Sequence, residues 1–312
     1  MRIFVTGATG FVGREIVRQL HEEGRRLRLL VRDPESESAQ QAVSRYGAEI
    51  HVGNLLDAAS LEGALNGMHA VIHLVGIIKE FRESTFENVH IAGTENLIAA
   101  AQQAGVGRFI HMSALGTRPD AVSRYHRSKW AAEEAVRQSD IDYTIFRPSL
   151  IYGPDDQFVN LFAKLIRLSP VVPILASDRA HFQPVPLETV ASAFVRSMAD
   201  PRSIGQTFDL CGPDVLTLAQ IVDEICRGLE RRRLKLRIPL ALSRRLAAFL
   251  EFIYLRLFRR ASPLNQDQLL MLQEDNIGNP ESANKSFNLS PVSFGQGIAK
   301  FLSEASPGSP SG

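Results

Sequence analysis

The chain has 312 residues, 45% of them hydrophobic and 22% charged, with a net charge of +1. That length and balance suit one large globular domain or two unequal ones, and a near-neutral chain carries no global field that would hold nucleic acid. Two cysteines, Cys211 and Cys226, are too few for a disulfide framework or a zinc cluster, so no metal site is expected and both read as buried bystanders. The N-terminal apolar run is too short for a secretory leader, and no apolar run reaches the ~18 residues that span a bilayer.

Arg2-Ile3-Phe4-Val5 reads as a strand, followed by Thr6-Gly7-Ala8-Thr9-Gly10-Phe11-Val12-Gly13. Val12, Ile16, Val17 and Leu20 then fall at helical spacing. A strand, a glycine turn and a helix make a dinucleotide-binding unit. Gly7 permits the tight turn, Gly10 lets backbone approach a pyrophosphate, and Gly13 lets helix pack on strand. The helix N-terminus offers free N–H groups and a positive dipole end to phosphate.

Residues 27–31 form a second strand, closed by Arg32-Asp33-Pro34. The side chain after this strand meets the adenosine ribose in such folds. Arg32 would pair with a 2′-phosphate and favour NADP(H); Asp33 beside it would serve a ribose hydroxyl and favour NAD(H). Residues 49–52 are a short third strand, followed by Gly53-Asn54-Leu55-Leu56-Asp57. Asp57 reads equally as a helix N-cap and as a ligand contact. The run from Ala70 through Val75 to Gly76 is continuously apolar, as a central parallel strand should be, and Gly76 would let backbone pass close to a cofactor. His73 within it reads as a satisfied core histidine. A helix beginning near Ser84 carries Asn88.

Residues 108–113 make a fifth strand with Ser113 at its carboxyl end, where open α/β sheets bind ligands. Twelve residues later Tyr125 precedes Lys129 by four, so the two share a helix face. A free phenol titrates near pH ~10, too high for a base at neutral pH, and an adjacent ammonium would lower it. Ser113 would then hydrogen-bond the substrate oxygen. Residues 142–147 form a sixth strand, followed by Pro148-Ser149-Leu150-Ile151-Tyr152-Gly153-Pro154. The strand at 207–212 is assigned to a smaller domain.

Between Arg227 and Arg260 there are eleven basic and two acidic residues, a local charge of +9 that leaves about −8 for the rest. Leu246, Phe249, Leu250, Ile253 and Leu257 fall on one helical face, flanked by Arg244, Arg245, Arg256, Arg259 and Arg260. This reads either as a basic amphipathic helix on an anionic membrane surface or as a core-packed helix with solvated arginines. The last ten residues are low-complexity and expected to be disordered.

The glycine turn, Ser113, the Tyr125/Lys129 pair and the Pro148–Pro154 phrase resemble the extended and atypical branches of the short-chain dehydrogenase/reductase superfamily. The phrase from Ser262 to Asn276, with the basic helix before it, is similar to the subfamily typified by the 39-kDa accessory subunit of respiratory complex I. The resemblance covers the chain to about Leu302. It implies an α/β fold of Rossmann type: a doubly wound parallel sheet over 1–150, and a smaller C-terminal substrate-side region over 151–302, with 181–201 returning to the main sheet. It implies a catalytic set of Tyr125, Lys129, Ser113 and Asn88, the last ordering a relay water. It also implies cofactor contacts from Gly7, Thr9, Gly10, Phe11, Val12, Gly13, Arg32, Asn54, Leu55, Val75, Gly76, Lys129 and Pro148. Asn54 stands where relatives carry an acid near the adenine, and Thr189 stands where they carry Asp.

The Ser-to-Tyr interval is shorter than is usual in extended members, which bears on dehydrogenase chemistry more than on cofactor binding. The activity so implied is an NADP(H)-dependent oxidoreductase acting on a quinone-type or other lipophilic small molecule. The alternatives are a nucleotide-bound assembly factor of a membrane redox complex and a sugar-nucleotide epimerase or dehydratase. The expected location is cytoplasmic, peripheral on the inner face of the membrane where residues 244–260 engage it.

Overall fold

The computed structural model describes residues 1–175, 180–254, 256, 262 and 264–302. The chain divides into two compact units, the first made of residues 1–148, 190–209 and 281–289, the second of 149–189, 210–280 and 290–312.

The first unit is built on a seven-stranded sheet. Its strands are β1 (Arg2–Thr6), β2 (Arg26–Val31), β3 (Glu49–Val52), β4 (Ala70–His73), β5 (Arg108–Met112), β6 (Asp142–Pro148) and the edge strand Gln206–Leu210. From that edge strand the order runs β6, β5, β4, β1, β2, β3. The five pairs from β6 to β3 are all parallel. Central strands β1 and β4 are almost wholly buried, which explains their continuous apolar sequence. Helices α1 (Phe11–Glu22), α2 (Glu37–Tyr46), α3 (Gly93–Gln103) and α4 (Arg124–Gln138) connect them. One core, around Phe4, Leu65, Val71, Leu97, Phe109 and Ile145, fills the space between sheet and helices.

Strand order reverses between β1 and β4, and their carboxyl ends lie side by side. Thr6 registers with His73, and the Leu74 N–H donates to the Thr6 carbonyl at 3.2 Å. This is the switch point at which open parallel sheets bind ligands.

Two sequence expectations change. The strand expected at 207–212 belongs to the main sheet rather than to a smaller domain, as the edge beside β6. Apolar burial decides this: Phe208 is buried, with its ring 5.9 Å from Phe146 and 4.9 Å from Phe287. The helix expected from Ser84 opens instead with a π-helical turn, Glu87–Ala92, before α3.

In the second unit, helices Val159–Leu168, Leu218–Gly228 and Phe294–Leu302 enclose a core containing Tyr152, Phe162, Ile221 and Phe294. Strands Val171–Leu175 and Leu234–Ile238 pair in parallel, and helix Leu240–Ile253 follows. That helix packs through its small residues Ser243 and Ala247, both fully buried. Leu242, Leu246, Phe249 and Phe252 are exposed instead, at 55%, 38%, 59% and 63%. The outward face thus includes Phe252, which the expected stripe omitted, while Leu250 is half-buried; Leu257, Arg259 and Arg260 lie outside the described residues. Among the described residues no helix is long and apolar enough to cross a membrane. Both cysteines are free and buried.

Candidate active site and cofactor turn

The glycine turn closes on itself. Gly7 has φ +72°, which favours glycine, and its carbonyl accepts from the Gly10 N–H at 3.0 Å. A Cβ at Gly13 would stand 2.2 Å from that carbonyl oxygen, and one at Gly7 would stand 3.1 Å from the backbone of Leu74 and Val75. Gly10 is the N-cap of α1, is exposed, and supplies no capping side chain. The first N–H groups of α1 are therefore left to a ligand, beside the switch point. These features fit the pyrophosphate of a dinucleotide.

The other expected cofactor residues lie in the first unit. Thr9 and Phe11 are half-buried and Val12 is buried. Arg32 is exposed just past β2 and makes no hydrogen bond or ion pair among the described residues. Asp33 Oδ1 accepts from the Glu35 N–H at 3.0 Å, so this carboxylate closes its own turn. Asn54 is exposed, and its Oδ1 accepts from the Leu56 N–H at 3.1 Å. Leu55 is buried, its carbonyl held by Asn96 Nδ2 at 2.8 Å. Val75 is half-buried and Gly76 exposed, in the loop after β4. Pro148 ends β6, and its carbonyl accepts from the Leu115 N–H at 2.9 Å.

Helix α4 starts on Ser123, whose hydroxyl caps it by accepting from the His126 N–H at 3.1 Å. One and two turns on, Tyr125, Lys129 and Glu133 line a single face. Lys129 is 3% exposed, and its Nζ donates to the Met112 carbonyl at 2.6 Å. That bond pins the helix to the end of β5, directly before Ser113, which is also buried. Burial pulls the Lys129 ammonium down to about 8, opposed by the charge of Glu133. Burial pushes the Tyr125 phenol up to about 12. This departs from the sequence expectation that Lys129 would lower that phenol. The physical reason is that burial desolvates the hydroxyl and disfavours the charged phenolate.

Three buried histidines surround Lys129. His73 Nε2 bonds Thr94 Oγ1 at 3.0 Å, Thr94 Oγ1 donates to the His90 carbonyl, and His73 Nδ1 meets Thr6 Oγ1 at 2.7 Å. His73 is therefore a satisfied core histidine, neutral because burial lowers it to about 3, with Lys129 adding to the effect. The Ile77 N–H donates to His90 Nε2 at 3.0 Å, which leaves the His90 proton on Nδ1, bonded to Ser128 Oγ at 2.8 Å. Burial, then Lys129, brings His90 to about 2. His111 is held well below the usual histidine range by the same causes.

A Cβ at Gly76 would lie 3.5 Å from His90 Nε2 and 3.8 Å from Lys129 Nζ. His90, not singled out from the sequence, thus flanks the same space as Lys129. The Asn88 amide instead donates to the Glu83 carbonyl at 2.8 Å. A π-turn adds a residue to the helical repeat and changes which side chains face the sheet, which spacing alone did not reveal. Glu133 was also missed, although its place four residues after Lys129 was readable.

Comparison with known proteins bears on the fold and the family. A family model described as NAD(P)H-binding matches residues 7–164. The mitochondrial NADH dehydrogenase (ubiquinone) 1 alpha subcomplex subunit 9 of Arabidopsis thaliana is 32% identical over 289 residues, covering 88% of this chain and 70% of the relative. The ceramide reductase of Caulobacter vibrioides is 36% identical over 201 residues, covering 64% of this chain and 61% of that protein. The UDP-glucose 4-epimerase of Thermotoga maritima superposes with a TM-score of 0.74 at 19% identity, covering 97% of this chain and 99% of that one, a likeness of fold. Fold, turn and family model define an NAD(P)H-binding protein of Rossmann type. The chain belongs to the extended and atypical short-chain dehydrogenase/reductases, in the subfamily of the complex I 39-kDa subunit.

Proposed function

We propose that the chain is an NADPH-dependent oxidoreductase that exchanges a hydride and a proton with a lipophilic carbonyl or hydroxyl compound of quinone or isoprenoid type. The observation that carries this reading is the Lys129–Met112 bond. It sets the Tyr125/Lys129 face of α4 against the end of β5 where Ser113 sits, in the same unit as the glycine turn. A bound nicotinamide would supply or take the hydride, and the chain's own residues handle the proton. Tyr125, protonated at neutral pH, is poised to give its proton to a developing alkoxide, which favours reduction of a carbonyl. Ser113 orients that oxygen, and Lys129 provides positive charge to the phenolate left behind. Arg32, without a partner among the described residues, supports NADPH over NADH.

A lipophilic substrate is supported by the name of the bacterial ceramide reductase relative and by the exposed apolar face of helix Leu240–Ile253. The same face, with the relative named as a subunit of an NADH dehydrogenase, favours a second reading, an accessory factor docked to a membrane redox complex.

Turnover of nicotinamide by purified protein with short-chain quinones and ceramide-type ketones tests the first reading. Tyr125→Phe should lower turnover by roughly 10²–10⁴-fold while NADPH binding persists. Equal turnover in the variant removes Tyr125 from the chemistry. Absence of turnover in the unaltered protein, with cofactor bound, shifts the weight to the accessory reading.

A further inference from the structure

Resting on the reading that Tyr125 moves the proton and that Val75 and Gly76 meet the cofactor, we infer that His90 is a positioning residue of the site. Its two ring nitrogens have separate tasks, Nε2 holding the loop after β4 and Nδ1 holding the tyrosine on α4. The direction of every bond is forced. The Ile77 backbone N–H can only donate, and it meets His90 Nε2 at 3.0 Å, so the imidazole proton sits on Nδ1. Nδ1 meets Ser128 Oγ at 2.8 Å and must donate to it. The serine hydroxyl gives its own proton to the Tyr125 carbonyl, also at 2.8 Å. One hydrogen-bonded chain thus runs from the loop after β4, through His90, to the backbone of the tyrosine. It requires a neutral imidazole, and His90, 1% exposed, is kept neutral by burial, which with the charge of Lys129 brings it to about 2.

The rings add a second hold. The Tyr125 ring meets the His90 ring edge to face, with centroids 5.5 Å apart at 82°, and the Phe86 ring at 5.9 Å and 74°. Phe86 in turn stacks on His90, at 5.5 Å and 18°. Tyr125 is the second residue of α4, in the first turn, where the helix's own N–H groups find no partner within it. Contacts from outside the helix therefore help to set where this residue stands. At the other end of the chain, a Cβ at Gly76 would lie 3.5 Å from His90 Nε2 and 3.8 Å from Lys129 Nζ, so the loop, the imidazole and the lysine border one space. A phenylalanine at position 90 would keep the stacking; an imidazole also joins the loop to the serine.

Two substitutions divide the nitrogens. A glutamine amide oxygen reaches the place of Nε2 but leaves no donor for Ser128, and an asparagine amide nitrogen reaches the place of Nδ1 but falls short of Ile77. His90→Gln should keep NADPH affinity and lower kcat roughly 3–10-fold at saturating cofactor, the effect of one lost hydrogen bond. His90→Asn should do the reverse, weakening NADPH binding roughly 3–10-fold with kcat at saturating cofactor close to that of the unaltered protein. Equal effects of the two variants on both quantities, or no effect of either, overturn the inference, because a histidine that only filled the core would be missed alike in both. If neither variant shows a folded thermal transition, Ser128→Ala decides: lower kcat with NADPH affinity intact supports the inference, and any other result overturns it. Hydrogen exchange reads the same split without turnover. His90→Asn should free the Ile77 amide and spare those of residues 125–129, and His90→Gln should do the opposite; exchange that rises alike at both ends, or at neither, overturns the inference. Absence of turnover in the unaltered protein, or full turnover in Tyr125→Phe, removes the oxidoreductase reading, and the exchange result stands apart from both.

Discussion

Arg32 and Asp33 stand side by side after β2, and the structure separates them by what each already does. Asp33 spends its carboxylate on the Glu35 N–H, whereas Arg32 is exposed and makes no hydrogen bond or ion pair among the described residues. A guanidinium in that position would gain its strongest bond from a cofactor bearing a 2′-phosphate. Such a bond contributes about 1.5–3 kcal/mol. Arg32→Ala should therefore weaken NADPH binding by roughly 10–100-fold and leave NADH binding nearly unchanged, as read by nicotinamide fluorescence. Equal losses for both cofactors would show that Arg32 serves the turn's stability rather than its choice of nucleotide.

At the scale of the element, the turn between β1 and α1 is fixed by clashes that glycine avoids. At Gly13 the added carbon would strike backbone on two sides, the Gly7 carbonyl oxygen at 2.2 Å and Ala8 Cα at 2.7 Å. Backbone cannot rotate away as a side-chain tip can, so Gly13→Ala should destabilise the unit by about 1–3 kcal/mol and abolish cofactor binding. Thermal unfolding with and without NADPH checks both halves. A variant that keeps the unaltered melting temperature and cofactor-induced shift would mean that α1 can slide. The π-turn before α3 has the opposite character, because nothing in its composition marks it. Yet it brings His90 onto Ser128 and Ile77, tying the loop after β4 to α4.

At the scale of the whole molecule, the question is what the exposed face of helix Leu240–Ile253 meets. Leu242, Leu246, Phe249 and Phe252 would bury apolar surface in an acyl boundary, and Arg244 and Arg245, also exposed, would meet anionic headgroups. Each basic residue near such a surface contributes about 1 kcal/mol. Co-sedimentation should show binding to vesicles rich in anionic lipid and little to neutral ones. Leu246→Glu with Phe249→Glu should reduce that binding at least about tenfold, since both hydrophobic insertion and charge attraction are lost. Unchanged sedimentation would assign the face to a protein partner.

Local pattern was enough for the sheet, the glycine turn, the Tyr125/Lys129 pair and the excess of charge near the C-terminus. Each of these depends on spacing along one element: strands of continuous apolar residues, glycines three apart, side chains four apart on a helix. The sequence by itself therefore determined the class of fold and the place of its glycine turn. Only the tertiary structure decided which groups converge on the site. Glu133 depends on Arg147 from β6, the histidines around Lys129 come from β4, β5 and a π-turn, and the edge strand Gln206–Leu210 finds β6 across a long crossover. Contacts between residues distant in sequence leave no local periodicity, and burial, which resets the Tyr125 and Lys129 protonation, exists only once the chain has packed.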